Sequence, residues 1–163
     1  MSKSLREQLV GAWELIEYCA YLPNDESDKV YPQGQDAQGI IMYTADGYMS
    51  AQILTLDQES SLSSSNEEDR SQIKRDYLAY TGQFYLDEAG DSKGPVLMHH
   101  MKVANRANML GDTQRRLCKI VDEHNGQYLV LSLNGTTKAF GEDRIVRVRW
   151  RRLPENRATQ PPR

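Results

Sequence analysis

Cysteine is scarce in this chain, with two residues, Cys19 and Cys118, in 163. So small a number builds neither a disulfide framework nor a cysteine zinc site. Histidine is limited to His99, His100 and His124. Neighbouring strand residues point to opposite faces, so His99 and His100 do not chelate one ion together, and no metal site is expected. No apolar run approaches the roughly 18 residues of a membrane span. The opening MSKSLREQLVGAW lacks the apolar core of a secretory leader. Positive charge is not in excess: 20 Lys and Arg stand against 23 Asp and Glu, a net charge of −3. That balance argues against a nucleic-acid surface. Phosphate-cradling glycine loops and the GxSxG nucleophile elbow are missing, and no redox-cofactor motif is visible, so no cofactor is expected. The expectation is one cytoplasmic, soluble domain that neither enters a membrane nor binds nucleic acid.

What is present is mostly strand. Ser4 and Glu7 have capping-box spacing, which predicts a helical turn over residues 4–9. Residues 11–18 follow as a strand, with Trp13 and Leu15 on one face and Ile16 and Tyr18 on the other. Residues 22–38 are polar and carry two prolines; they read as a long loop with at most a short strand at 29–31. Residues 39–43 and 48–54 flank Asp46-Gly47 and read as a hairpin. After a serine-rich run at 57–66, Glu67, Glu68 and Asp69 suit a helix N-terminus, and Ile73, Tyr77 and Tyr80 recur at helical spacing before Gly82, a natural stop. This predicts a helix over residues 67–80, hinged on the serine run and lying as a lid over an opening of the domain. From residue 83 the pattern is β, with strands at 83–87, 96–103, 114–122, 128–133 and 144–153 and a short one at 137–140. Eight to ten short antiparallel strands with no βαβ rhythm indicate an all-β fold. A barrel is favoured because closure removes exposed edges. Residues 1–153 are assigned to the domain and 154–163 to a flexible tail.

Gly11-x-Trp13, just after a helical turn, resembles the GxW start of the lipocalin and fatty-acid-binding-protein group. Residues 39–50, GIIMYTADGYMS, resemble the second-hairpin signature of the lipocalin-like domain family of bacteria and fungi. So do Tyr77-Leu78-Ala79-Tyr80-Thr81-Gly82-Gln83-Phe84 at that family's helix-to-strand passage, the His99-His100 strand, and Gln114-Arg115-Arg116. The similarity runs over about residues 8–153. It implies an antiparallel lipocalin-like β-barrel. Fungal members often sit among natural-product pathway proteins, which implies a polyketide or terpenoid ligand. The family has no single agreed catalytic motif to carry over.

Several side chains are candidates for a site. His99 shares a strand face with Leu97, Met101 and Val103, whereas His100 shares one with Lys102. Lysine marks the wet face, so His99 is the inward candidate, either a neutral base or a core histidine bonded to a carbonyl or tyrosine. Arg116 shares its face with Gln114 and Cys118, a residue type that favours the interior. A buried guanidinium needs a partner, here an anionic or enolate-like ligand oxygen or Glu17, which falls on the Trp13 face. Tyr43 and Tyr48 flank the Asp46-Gly47 turn and could pair, with Ser50 and Gln52 continuing their face and Met42, Met49, Ala51 and Ile53 on the other. Which of the two points inward is open. Trp13 would close the barrel floor, Met49 and Met101 offer pliable apolar walls, and Tyr80 lies on the helix stripe. Arg147, Arg149 and Arg151 alternate with Val146, Val148 and Trp150 and read as solvated.

Two functions fit. In the first, a cofactor-free isomerase or cyclase binds a hydrophobic molecule, with His99 as base, Arg116 as charge stabiliser and Tyr48 as acid. Trp13, Glu17, Tyr43, Met49, Gln52, Tyr80 and Met101 would then contact the ligand. In the second, the same barrel carries a hydrophobic metabolite without chemistry. The partner in either case is a hydrophobic small molecule, and a homodimer is left open. Residue types alone do not separate them, since both need an apolar pocket with few polar groups.

Overall fold

The computed structural model describes residues 2–56 and 76–163. A short helix α1 (Leu5–Leu9) opens the chain. Ser4 caps it as the spacing requires: its hydroxyl accepts from the Glu7 amide at 3.2 Å, and the Glu7 carboxylate accepts from the Ser4 amide at 2.8 Å. The strands are β1 (Gly11–Leu22), β2 (Asp25–Val30), β3 (Gln38–Tyr43), β4 (Tyr48–Thr55), β5 (Asp76–Asp91), β6 (Gly94–His100), β7 (Val103–Ala104), β8 (Thr113–Glu123), β9 (Gly126–Ser132), β10 (Thr137–Ala139) and β11 (Glu142–Arg152). Eight of them, β1, β3, β4, β5, β6, β8, β9 and β11, pair antiparallel in that order, and β11 pairs back onto β1 to close the barrel. β2 flanks β1, β7 pairs with β5, and β10 pairs with β11. Residues 154–163 are exposed and belong to no strand.

Alternation along the strands builds the interior. On β11, Val146, Val148 and Trp150 turn inward, while Arg147, Arg149 and Arg151 lie outside. The outer arginines pair with acids: Arg147 with Glu17 and Glu26, Arg149 with Glu123 at 2.7 Å, and Arg151 with Glu14. One end of the barrel is plugged. Leu9 is fully buried, the Trp13 indole donates to the Leu9 carbonyl at 2.9 Å, and the Arg152 guanidinium stacks 4.1 Å from the Trp13 ring. Arg152 also donates to the Val10 carbonyl at 2.8 Å, which ties α1 to the last strand. Toward the other end of β11, the buried Arg144 donates to the Ala20 and Asp28 carbonyls and to the Asp28 and Glu142 carboxylates.

Three expectations need correction. Residues 76–80 are not helical: β5 begins at Asp76 and pairs along β4, Leu54 facing Tyr77 and Ala51 facing Tyr80. Tyr77 and Tyr80, three apart, would share one face of a helix but stand on opposite faces of a strand; Tyr77 is exposed and Tyr80 buried. The remainder of the expected helix, the serine-rich run and the lid and hinge assigned to them lie outside the described residues. Gly82 is accordingly no helix stop. It sits within β5, where a β-carbon would fall 1.8 Å from the His100 carbonyl oxygen. A glycine inside a strand marks such close backbone approach. Gly82→Ala is therefore expected to cost about 1–3 kcal/mol, read as a lower melting temperature.

The second correction concerns β1. Its register against β11 slips between Leu15 and Glu17, so that Ile16 is bulged out and exposed. The extra residue inverts the alternation beyond it. Glu17 therefore leaves the Trp13 face for the outer surface, where it pairs with Lys29 at 3.3 Å and with Arg147, not with Arg116. Tyr18 takes the inward place. The third concerns the hairpin. Thr44 and Tyr48 close the turn, with the Thr44 amide donating to the Tyr48 carbonyl at 2.8 Å, and Gly47 has a positive φ of 98°. Tyr43 consequently faces Met49, not Tyr48, and both are buried. Tyr48 and Gln52 lie on the outer face, Gln52 accepting from Tyr77 at 2.6 Å.

Candidate functional site

A hydrogen-bonded chain of side chains crosses the barrel. His99, on β6, is fully buried. Its Nε2 lies 2.8 Å from the Tyr43 hydroxyl and its Nδ1 lies 3.2 Å from Gln114 Oε1. Tyr80 donates to the same Gln114 oxygen at 3.3 Å. An amide oxygen only accepts, so His99 Nδ1 carries the proton and Nε2 accepts from Tyr43. Aromatic contacts brace the group: Phe84 meets Tyr43 edge-on at 5.1 Å, and the Tyr80 ring lies 5.9 Å from His99. Burial lowers the His99 pKa to about 4; the Gln114 bond raises it and the Arg116 charge lowers it further. His99 is thus neutral at pH 7. Burial also pushes the Tyr43 and Tyr80 hydroxyls above the usual phenol range, which keeps both protonated.

Gln114 is the link from this chain to an open hollow of about 540 Å³. Tyr18, Leu78, Met101, Met109, Gln114, Arg116 and Leu133 line it, and Arg106, Asp112 and Arg115 also border it. The hollow lies away from the plug, since on β1 Tyr18 is five residues beyond Trp13. Arg116 is half-buried and donates to the Arg115 carbonyl at 2.8 Å. Burial lowers its pKa, which the neighbouring Tyr18 and Tyr80 hydroxyls partly offset. Burial likewise raises the Tyr18 pKa, against the charges of Arg116 and Arg106. The chemistry on offer is a mixed recess, with Leu78, Met101, Met109 and Leu133 as apolar surface and Gln33, Asn108, Thr113, Gln114 and the arginines as polar surface.

The structure brings some sequence candidates together and separates others. His99, Tyr43 and Tyr80 meet in the buried chain, and Arg116 and Met101 line the hollow beside it. Trp13 belongs to the plug, and Met49 to the core. Tyr48, Gln52 and Glu17 lie on the outer surface, where strand register places them. Gln114, Tyr18 and Leu78 were not singled out by sequence. Gln114 could have been, since it shares a strand face with Arg116; Tyr18 enters only through the bulge. Among the described residues, no group of three or more His, Cys, Asp or Glu side chains is placed to hold a metal ion. No helix among them is long and apolar enough to cross a membrane.

A family model described as a lipocalin-like domain matches residues 10–153. No curated protein matches the chain.

Proposed function

The chain belongs to the lipocalin-like domain family, and from that premise we propose that its barrel binds a hydrophobic small molecule, of polyketide or terpenoid type, in the hollow beside Gln114 and Arg116. The observation that supports this is the composition of the hollow. Leu78, Met101 and Met109 offer pliable apolar surface for the body of a small molecule, and the polar and charged groups around them offer hydrogen bonds to its polar end. The far end is plugged by Leu9, Trp13 and Arg152, so a ligand would enter from the hollow.

A neutral apolar fluorophore, N-phenyl-1-naphthylamine, tests the reading. Saturable binding of one probe per chain is expected, and Leu78→Trp, which fills the wall, should weaken it by about tenfold or more. Binding that does not saturate, or that Leu78→Trp leaves unchanged, would overturn it.

A second reading adds chemistry: cofactor-free isomerisation or cyclisation by proton transfer. It is favoured by the neutral His99 lying within electrostatic reach of the Arg116 cation, a base beside a charge stabiliser. Binding comes first because both His99 nitrogens are already bonded, to Tyr43 and Gln114, and because a pKa near 4 makes a weak base. Hydrogen exchange at the α-carbon of 2-tetralone in deuterated buffer separates the two. An acceleration that His99→Gln reduces by roughly 10²–10⁴ would support catalysis; none would leave a carrier.

A further inference from the structure

Gln114 and Arg116 stand on one face of β8 and border the same hollow. Gln114 Oε1 already accepts from His99 and from Tyr80. An amide oxygen has two lone pairs, and both are engaged. What the side chain has left for the hollow is its NH₂ group, a donor. Arg116 adds a guanidinium, which donates and never accepts. Among the described residues no carboxylate forms an ion pair with Arg116; it donates to the Arg115 carbonyl. Asp112, the acid on the rim, is exposed and accepts from the Thr113 amide at 2.9 Å. A half-buried cation that no described carboxylate balances is unfavourable, and an anion entering beside it would relieve that cost. A neutral alcohol can accept from these two donors but carries no charge to balance the guanidinium. An amine would bring a second positive charge.

We infer that the ligand is an apolar acid whose anionic oxygens, those of a carboxylate or of an enolised 1,3-dicarbonyl, lie between the Gln114 amide and the Arg116 guanidinium. This rests on the binding reading above and narrows it. The apolar body of the molecule lies against Leu78, Met101 and Met109. Arg is suited to the task because its planar fork meets two oxygens at once, whereas lysine offers a point charge.

Titration calorimetry with three probes of one shape tests the assignment: 2-naphthoate, 2-naphthalenemethanol and 2-naphthylmethylamine, with N-phenyl-1-naphthylamine as the neutral control. In the wild-type protein the acid should bind about tenfold or more tighter than the alcohol, and the amine weakest. Arg116→Gln should weaken the acid about tenfold more than it weakens the alcohol or the control, which removes the preference; Arg116→Lys should keep part of it. Gln114→Glu, which turns the donor wall into an acceptor, should reverse the order of acid and amine. If acid and alcohol bind equally to the wild type, the inference fails while the binding reading stands. If Arg116→Gln still binds the control and still prefers the acid, the assignment to Arg116 is overturned. If neither the control nor any of the three binds, the binding reading fails and the inference with it. Should Arg116→Gln not fold, the Arg116→Lys and Gln114→Glu results decide in the same way.

Discussion

Replacing Trp13 with alanine is expected to cost about 3–5 kcal/mol of stability, the range for removing a buried aromatic side chain. The indole is fully buried, donates to the Leu9 carbonyl and lies under the Arg152 guanidinium. Its loss leaves a cavity at the plug, a carbonyl without its donor and a cation without its aromatic face. Neighbouring strands hold the site open, because Trp13 faces Ile41 on one side and Arg152 on the other, so the hole does not readily collapse. Equilibrium urea unfolding reads the effect, with Trp150 still present as the fluorescent reporter. The midpoint should fall with the slope unchanged, the signature of a stability change rather than a changed denatured state. A loss below about 1 kcal/mol would mean that α1 and the last strand hold together without the indole.

The second large effect is a dependence of stability on pH. His99 has a pKa of about 4 in the folded protein, against 6.5 for an unperturbed histidine. Below pH 6.5 the unfolded chain takes up a proton that the folded barrel refuses, so acid favours unfolding. The contribution of His99 is fully present above about pH 6.5 and is lost progressively as pH falls toward 4. Over that window the loss amounts to about 3 kcal/mol. The groups around His99 sharpen the assignment: Tyr43, Tyr80 and Gln114 do not change charge in this range, and Arg116 stays positive. Urea unfolding of wild type and His99→Gln at pH 7.5, 6, 5 and 4.5 gives the difference directly. The variant is expected to be less stable at pH 7.5 but to lose less on acidification. Parallel curves would show that His99 takes up its proton in the folded state as readily as in the unfolded one.

Much of the fold was legible in the sequence because a strand repeats every two residues. The alternation of Val146, Val148 and Trp150 with three arginines on β11 reads the same in sequence and in the barrel. The same ground favoured His99 and Arg116 over His100 and Arg115 without deciding between them, since Lys102 marked the wet face of one strand and Cys118 the buried face of the other. The Ser4 and Glu7 cap was legible because both partners lie within one turn of chain.

Parity fails as a guide wherever one residue is added or the loop length is unknown. The bulge at Ile16 exchanged Glu17 for Tyr18, and nothing in residues 11–18 marks it, because the slip is set against β11 more than a hundred residues away. The turn after Tyr43 sent Tyr48 outward through a closing pair at Thr44 and Tyr48 that the Asp46-Gly47 signal alone does not specify. The spacing of Tyr77 and Tyr80 read as one helical stripe, but pairing with β4 puts them on opposite faces of a strand.

The sequence by itself determined that this is an all-β protein with no phosphate-binding motif, and it favoured Trp13 and His99 as interior residues; each follows from residue type and local spacing. Only the tertiary structure decided that Tyr43, His99, Gln114 and Tyr80 form one chain, and that the chain ends at the hollow beside Arg116. The reason is physical. Those bonds join strands 15, 34 and 56 residues apart, and their partners are fixed by barrel closure and register, which no local window of sequence contains.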